Sequence, residues 1–270
     1  MDNRRIGIFD SGLGGLTVMK ELMALLPNES IVYFGDTGRI PYGTKSEETV
    51  LKYTRSDISF LNTFPLKAIV AACGTASSIA LPKLSGQYDI PLLGVTKAAS
   101  RRAAQVTKNG RVGVIGTTGT VRSGAYSAFI KEENPAIETV SVACPMFVPL
   151  VEYGYAEKEA AKMIAKDYLQ TIMDSGADTL ILGCTHYPLL RKVIQEVVGD
   201  SVSLINPGEC VAQDIYEQLA KDDMLSDAPE KDQYQFYVSD VPAEFVRLGS
   251  MFLERPISGL VSRIDIEKYN

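Results

Sequence analysis

From residue 180 to residue 190 the sequence reads Leu-Ile-Leu-Gly-Cys-Thr-His-Tyr-Pro-Leu-Leu. The apolar run that ends at Cys184 predicts a buried β-strand. Pro188 favours an early position in the helix that follows, where its missing N–H leaves no hydrogen bond unmade. Cys184 is therefore expected where a strand ends and a helix begins. In open α/β sheets, that is the edge at which ligands bind.

A second segment repeats this arrangement. Residues 68–78 read Ala-Ile-Val-Ala-Ala-Cys-Gly-Thr-Ala-Ser-Ser, which is again an apolar run that ends in a cysteine, Cys73. A lone free cysteine is usually a small apolar core residue, but the duplicated context favours a functional pair. The segments that begin at Ile6 and Pro91 also recur, in the same order, about 110 positions later.

The repeat predicts the fold class, which is α/β. We expect two similar three-layer α/β lobes related by pseudo-two-fold symmetry, with the active site in the cleft between them. Residues 1–95 and 208–270 are predicted to form the first lobe, which carries Cys73, and residues 96–207 the second lobe, which carries Cys184. Residues 234–238 are predicted as an edge strand. Thr44 is predicted to open a helix in a capping box with Glu47.

Composition and charge narrow the class of protein. Hydrophobic residues make up 46% and charged residues 22% of the chain, as in a soluble globular protein. The net charge of −6 argues against a nucleic-acid surface, which needs a basic patch. The first residues lead into a strand without the apolar region of a signal peptide, and no apolar run has the length of a membrane helix. We expect a cytoplasmic protein that binds neither nucleic acid nor membrane.

The cysteine and histidine content argues against a metal site. The four cysteines, Cys73, Cys144, Cys184 and Cys210, form no CxxC pair, so the sequence has neither a zinc-ribbon nor a thioredoxin motif. A single histidine cannot supply a His-rich metal site. Reduced thiols and no metal are therefore expected.

A glycine-rich turn, residues 10–15, follows the first predicted strand. Its glycines do not match the phosphate-binding pattern G-x-G-x-x-G, and Asp10 would repel a phosphate. The turn therefore predicts a small ligand whose ammonium group lies near Asp10 and whose carboxylate is bound by backbone N–H groups. The alternative is that Asp10 only caps the next helix.

Three further segments contribute candidate residues. Residues 35–43 form a long loop, rich in Gly and Pro, which is typical of a binding loop at a strand end. Thr117 follows another predicted strand and is equally suited to bind a small polar ligand or to cap a helix. Glu152 ends an apolar segment, and the pattern slightly favours a solvated helix end over a buried acid.

Two cysteines on opposite walls of a cleft can invert a carbon centre. One thiolate takes a proton from one face of the carbon, and the other sulfur, as a thiol, gives a proton to the opposite face. A thiolate needs a nearby donor, cation or helix N-terminus to form near neutral pH. We expect Asp10 to assist Cys73, and His186 and Glu152 to assist Cys184.

These segments together resemble the glutamate racemases of the aspartate/glutamate racemase superfamily, in order and over nearly the whole chain. The matching motifs are Phe9-Asp10-Ser11-Gly12-Leu13-Gly14-Gly15-Leu16-Thr17, Gly35-Asp36-Thr37 with Pro41-Tyr42-Gly43, Ala72-Cys73 with Thr75-Ala76, Ala143-Cys144-Pro145 with Phe147-Val148-Pro149-Leu150-Val151-Glu152, and Gly183-Cys184-Thr185-His186-Tyr187-Pro188-Leu189.

The resemblance implies a racemase that needs no cofactor and interconverts L- and D-glutamate, supplying D-glutamate for bacterial peptidoglycan. It implies that Cys73 acts on D-glutamate and Cys184 on L-glutamate. A homodimer that binds a small-molecule substrate is expected. The residues expected to contact the substrate are Asp10, Ser11, Pro41, Tyr42, Gly43, Gly74, Thr75, Thr117, Thr185 and His186.

The chain departs from the family pattern at Gly74, where an asparagine usually follows the first cysteine. Glycine offers only its backbone N–H there, so we expect the difference to affect substrate affinity and preference rather than proton transfer. Two alternatives remain. The chain is an aspartate or related amino-acid racemase of the same superfamily, or it has a regulatory role in binding DNA gyrase, as some glutamate racemases do.

Overall fold

A computed structural model describes residues 2–228, 232–257 and 259–269 of the chain. The strands are β1 (Arg5–Asp10), β2 (Ile31–Gly35), β3 (Leu66–Ala71), β4 (Leu92–Gly94), β5 (Arg111–Gly116), β6 (Glu138–Ala143), β7 (Thr179–Gly183), β8 (Ser203–Ile205), β9 (Tyr234–Val238) and β10 (Val261–Arg263).

The α-helices alternate with these strands. They are α1 (Leu16–Leu25), α2 (Glu47–Leu61), α3 (Gly74–Ile79), α4 (Leu81–Leu84), α5 (Val95–Val106), α6 (Thr118–Ser123), α7 (Ala125–Glu133), α8 (Phe147–Glu152), α9 (Glu159–Asp174), α10 (Arg191–Val198), α11 (Pro207–Lys221) and α12 (Pro242–Phe252). Short 3₁₀ helices cover Tyr42–Thr44, Tyr187–Leu190 and Ile266–Tyr269.

The strands form two parallel sheets with a repeated order. The first sheet has the order β10-β9-β2-β1-β3-β4 and the second the order β6-β5-β7-β8. The four strands β2-β1-β3-β4 thus have the same arrangement as the whole second sheet, so the predicted fold class, two similar α/β lobes, is confirmed. The exact boundaries of the lobes, at residues 95/96 and 207/208, stay a prediction.

The prediction of an edge strand at residues 234–238 is wrong. Strand β9 pairs with β2 on one side and with β10 on the other, so β10 forms the edge of the first sheet. The pattern of β9 misled because its apolar and polar residues are mixed, and three of its five residues are only partly buried, which is typical of an edge. The three-residue strand that covers it is too short to produce a pattern of its own.

The start of α2 also differs from the prediction. Ser46, not Thr44, is the N-cap, and its hydroxyl accepts a hydrogen bond from the Thr49 N–H at 3.3 Å. Thr44 instead ends the 3₁₀ helix that begins at Tyr42. The loop before α2 is therefore structured as far as Thr44, and the helix starts only after it. Pro188 lies in the first turn of a 3₁₀ helix ahead of α10, as its missing N–H favours.

The central strands are buried on both faces, as parallel sheets covered by helices require. All residues of β2, β3 and β7 are buried. Helix α11 packs against both α1 and α5. No helix of the described residues is long and apolar enough to cross a membrane.

A buried ion pair marks the amino-terminal edge of the first sheet. The Lys67 side chain is fully buried, and its Nζ lies 2.6 Å from Glu29 Oε2. It also donates to the carbonyl oxygens of Asp2 and Met224, both at 2.7 Å. Lys67 thus connects Asp2 and the segment after α11 to β3. It lies at the opposite end of that strand from Cys73.

Candidate active site

A cavity of about 420 Å³ lies at the carboxyl ends of the central strands of both sheets. Parallel pairing puts these ends at one edge of each sheet, with Asp10 opposite Gly35 in the first sheet and Gly116 opposite Gly183 in the second. The cavity is lined by every candidate residue from the sequence: Asp10, Ser11, Pro41, Tyr42, Gly43, Cys73, Gly74, Thr75, Thr117, Glu152, Cys184, Thr185 and His186. The structure therefore brings these residues together, and their roles stay predictions.

Cys184 lies beside a buried charge pair. His186 Nδ1 is 4.0 Å from the Cys184 sulfur, and His186 Nε2 is 2.9 Å from Glu152 Oε1. Burial alone would lower the pKa of His186, but its contacts with Cys184 and Glu152 outweigh burial and raise the pKa to about 10. A protonated imidazole therefore lies between the Cys184 sulfur and the Glu152 carboxyl group.

The local structure explains how these three groups meet. Cys184 directly follows β7, and its carbonyl accepts from the Tyr187 N–H at 3.0 Å, which turns the chain so that His186 faces the cavity. Glu152 is the last residue of α8. Its side chain is only 29% exposed and is paired with His186, so the slight preference for a solvated helix end was wrong. The sequence pattern could not show that the end of α8 lies against the turn after β7.

Cys73 has no cationic partner among the groups described around it. It is the N-cap residue of α3, and its thiol donates to Ser11 Oγ at 3.5 Å. Burial and the nearby Asp10 carboxylate raise the pKa of Cys73 to about 12, although hydrogen bonds from Ser11 and the Ala76 N–H oppose this. The two sulfurs thus lie in unlike electrostatic surroundings.

Asp10 is 1% exposed and reaches the cavity from the end of β1. Its Oδ2 accepts a hydrogen bond from the Gly12 N–H at 2.9 Å, whereas Oδ1 is buried with no partner among the described residues. Burial raises the pKa of Asp10, and His186 and the backbone N–H groups of Gly12 and Gly15 oppose the rise. A buried carboxylate oxygen without a partner suits a ligand that carries an ammonium group.

Threonine hydroxyls join the two lobes on either side of the cavity. Thr75 Oγ1 lies 2.9 Å from Thr117 Oγ1, which in turn lies 3.0 Å from Thr120 Oγ1. Thr117 is also the N-cap of α6, which confirms the capping alternative; it lines the cavity as well, and its role in binding a ligand stays a prediction. On the other side, the Thr17 hydroxyl donates to the Thr185 carbonyl at 2.8 Å.

Gly74 is one of the points at which the two lobes approach closely. A Cβ atom built on Gly74 would lie 2.5 Å from the Gly183 carbonyl oxygen, which belongs to the second sheet. Such a distance is far below van der Waals contact and involves backbone rather than a flexible side chain. The expectation that Gly74 matters only as a missing substrate contact was therefore incomplete, because a side chain there requires a shift of the backbone around Gly74 or Gly183.

The loop of residues 35–43 contributes its backbone rather than the Tyr42 hydroxyl. Tyr42 is 1% exposed, and its hydroxyl oxygen lies 2.5 Å from Asp36 Oδ2 and 2.9 Å from Asp57 Oδ2, away from the cavity.

Sequence reasoning missed Asp57 because it is one acid on an amphipathic helix. It also missed several residues that line the cavity, namely Leu13, Thr37, Ile40, Thr44, Thr118, Pro145, Val148, Pro149 and Tyr153.

The described ranges contain no group of three or more His, Cys, Asp or Glu residues arranged to hold a metal ion.

Comparisons with known proteins match this chain over nearly its full length. Residues 14–215 match the family model described as Asp/Glu/Hydantoin racemase. The chain is 50% identical over 250 residues to the glutamate racemase of Geobacter metallireducens, which covers 93% of each chain. Among solved structures, a glutamate racemase isoform from Bacillus anthracis superposes with a TM-score of 0.93 at 37% identity, covering 98% of each chain. The glutamate racemase of Francisella tularensis, solved with D-glutamate, has a TM-score of 0.91 at 39% identity over the whole of both chains.

The charge pair beside Cys184 can be tested on the only histidine of the chain. We expect the NMR titration of His186 to place its pKa near 10, and Glu152→Gln to lower that pKa by about one pH unit or more, because the amide carries no negative charge. The exposed Glu159→Gln serves as the control and should leave the titration unchanged. A wild-type His186 that titrates near its ordinary value would contradict the pair.

The same titration has a consequence for stability. Because the pKa of His186 is raised in the folded state, its protonated form stabilises the folded protein. This contribution to the free energy of unfolding is complete below about pH 6.5. The stabilisation is lost as the pH rises through about 10. Denaturation measured across this pH interval should therefore show that Glu152→Gln loses less free energy of unfolding than the wild type does.

The contact at Gly74 predicts that even the methyl group of an alanine would clash there. We expect Gly74→Ala to lower the free energy of unfolding by about 1–3 kcal/mol, because its methyl group would overlap the Gly183 carbonyl. Urea denaturation measures the change. The control is Gly208→Ala in α11, where the nearest atoms would lie at 3.3 Å and a small change is expected. A Gly74→Ala protein as stable as the wild type would mean that the lobes separate there without cost.

Proposed function

The chain belongs to the Asp/Glu/hydantoin racemase family, and from this premise we propose that it is a glutamate racemase that interconverts L- and D-glutamate through two cysteines. One observation carries the proposal. Cys73 and Cys184 follow equivalent strands, β3 and β7, of two repeated sheets, and both line one cavity. Two acid–base groups from different lobes are what inversion at a carbon requires.

Substrate binding starts at Asp10. Its unpartnered Oδ1 takes the ammonium group of glutamate, which replaces the missing hydrogen bond with a charge-assisted one. The hydroxyls of Ser11, Thr75 and Thr185 line the same cavity and donate to the carboxylates. The D-glutamate bound to the Francisella tularensis enzyme supports a ligand of this kind.

In the direction from L- to D-glutamate, Cys184 is the base and Cys73 the acid. The Cys184 thiolate takes the α-proton, the electron pair of the C–H bond stays on the substrate as a carbanion, and the Cys73 thiol gives its proton to the opposite face. The products are D-glutamate, a Cys184 thiol and a Cys73 thiolate. The reverse reaction uses the same steps with the roles exchanged.

The unequal surroundings of the two sulfurs support this assignment. The His186 imidazolium lies 4.0 Å from the Cys184 sulfur, whereas burial and Asp10 raise the pKa of Cys73 and keep its thiol protonated. Cys73 is therefore suited to act as the acid in the reaction from L-glutamate. Glu152 orients His186 through the hydrogen bond at 2.9 Å and balances its charge.

The biological role follows from the product. We propose that the protein acts in the cytoplasm, as a homodimer and without cofactor, and supplies D-glutamate for peptidoglycan synthesis. Size-exclusion chromatography with light scattering tests the dimer.

Chiral chromatography of amino acids incubated with the pure protein tests the reaction. We expect L- and D-glutamate to reach a 1:1 mixture from either side, with the same rate after dialysis against a chelator and without pyridoxal phosphate. Faster conversion of aspartate than of glutamate would favour the aspartate alternative. Activity that disappears on dialysis and returns with metal would contradict a reaction without cofactor.

The two cysteines are tested by replacing each with serine. A serine hydroxyl is a far weaker acid than a thiol, so Cys73→Ser and Cys184→Ser should each slow racemisation by about 100-fold or more in both directions. Exchange of the α-proton needs only one base. In heavy water, Cys184→Ser should therefore still exchange the α-proton of D-glutamate, and Cys73→Ser that of L-glutamate.

Cys144→Ser is the matched control, since Cys144 is also buried but does not line the cavity. A single variant at Cys73 or Cys184 that racemises at the wild-type rate would mean that this cysteine is structural. Exchange on the opposite enantiomer in each variant would reverse the assignment of the two faces.

A further inference from the structure

A buried polar network lies behind the loop that forms one wall of the cavity. Asp36 and Asp57 have fully buried side chains, and Arg39 is 9% exposed. Arg39 Nε donates to Asp36 Oδ2 at 2.6 Å, and one of its terminal nitrogens donates to Asp57 Oδ1 at 3.0 Å. The Tyr42 hydroxyl lies between the two carboxyl groups, 2.5 Å from Asp36 Oδ2 and 2.9 Å from Asp57 Oδ2.

These two contacts of the Tyr42 hydroxyl need two protons. The phenol has one proton and can donate it to only one carboxyl group. The shorter contact, to Asp36, is typical of an O–H donating to a carboxylate. The contact to Asp57 at 2.9 Å is then a hydrogen bond only if Asp57 supplies the second proton and donates it to the Tyr42 oxygen.

We propose that Asp57 is a positioning residue that is held as a neutral carboxylic acid, donates its proton to the Tyr42 hydroxyl oxygen and thereby fixes the loop of residues 41–43 against the cavity. Its carbonyl oxygen, Oδ1, accepts from Arg39 at the same time. Both oxygens of Asp57 then have partners of the right kind.

Charge balance in the network supports a neutral Asp57. Among the residues that the structure describes, Arg39 is the cation paired with Asp57, and Asp36 shares it. The Glu267 carboxylate also lies near Arg39, at 3.8 Å, but it is 62% exposed. A second buried carboxylate beside Asp36 would be uncompensated, which is costly in a protein interior.

The electrostatics of the two groups agree with this proton count. Burial and the Asp36 carboxylate raise the pKa of Asp57 well above its ordinary value, although Arg39 and Tyr42 oppose the rise. Burial and the two acids, Asp57 and Asp36, also raise the pKa of Tyr42, so its phenol keeps its proton.

The network acts on the cavity through Tyr42 and Gly43. Pro41, Tyr42 and Gly43 all line the cavity. A Cβ built on Gly43 would lie 2.7 Å from Thr117 Cβ, so this loop also forms part of the close contact with the second lobe. A Tyr42 side chain that leaves its place moves Gly43, and with it the wall that the substrate contacts. This consequence for binding rests on the proposed racemase function, whereas the protonation of Asp57 does not.

Two replacements of Asp57 separate a neutral acid from a carboxylate. In Asp57→Asn, the amide N–H donates to Tyr42 and the amide oxygen accepts from Arg39, so the amide reproduces the neutral acid. We expect a KM for glutamate within about twofold of wild type. In Asp57→Leu both contacts are lost, and we expect KM to rise about tenfold or more with a smaller change in kcat, because the loop contacts the substrate in ground state and transition state alike.

Lys67→Met is the matched control for a general loss of stability. It breaks a buried ion pair of the same lobe at the other end of β3 and should lower the unfolding temperature without raising KM. Asp57→Asn impaired as strongly as Asp57→Leu would overturn the proposal, because it would mean that the negative charge at Asp57 is needed. So would a rise of KM in Lys67→Met as large as that in Asp57→Leu.

Infrared difference spectroscopy tests the proton without reference to activity, and without depending on whether Asp57→Leu folds. The difference spectrum, wild type minus Asp57→Asn, should contain the carbonyl stretching band of a protonated carboxylic acid at neutral pH. A carboxylate band in its place would overturn the proposal. If the band is present and the wild type does not racemise glutamate, the proposed function fails while the assignment of Asp57 stands.

Discussion

The close approach of backbone to backbone between Gly74 and Gly183 determines the shape of the site. Because Gly74 carries no side chain, its backbone lies against the Gly183 carbonyl group, and the carboxyl ends of β3 and β7 come together where the two cysteines begin. Both cysteines line the cavity and are nearly buried, at 5% and 8% exposure. Exclusion of water in turn strengthens each charge interaction around them.

The two walls are alike in topology and unlike in charge. A repeated strand order places a cysteine at the same point in each lobe, but the neighbours of the cysteines come from segments that do not correspond. Cys184 has His186 in its own turn and Glu152 from the end of α8. Cys73 has Ser11 and Asp10 from the turn after β1. A repeated fold thus places its two cysteines in different electrostatic surroundings.

The sequence was sufficient where the signal is local or repeated. Buried parallel strands produce apolar runs, and two runs that each end in a cysteine, with a threonine one or two residues later, predict both the lobes and the cavity residues. Prediction from the sequence failed where the structure depends on contacts between distant segments. The environment of Glu152 depends on the meeting of α8 with the turn after β7. The inner position of β9 depends on a three-residue strand, and the role of Asp57 depends on the return of the loop at residues 36–42 to α2.

The strands that exist only in the first lobe add contacts behind one wall of the cavity. Strand β9 extends the sheet beside β2, and the residue after it, Ser239, donates to Asp36 Oδ1 at 2.8 Å and accepts from the Gly38 N–H at 2.7 Å. Asp36 is thereby fixed as the acceptor for Tyr42, and the proton of Asp57 completes the set. The addition of β9 and β10 to the repeated core thus supplies a rigid backing for the loop of residues 41–43. In the second lobe, Thr117 and Thr120 face this loop from the turn after β5 and from α6. A Cβ built on Gly43 would lie 2.7 Å from Thr117 Cβ, so the second lobe meets the first at this wall of the cavity.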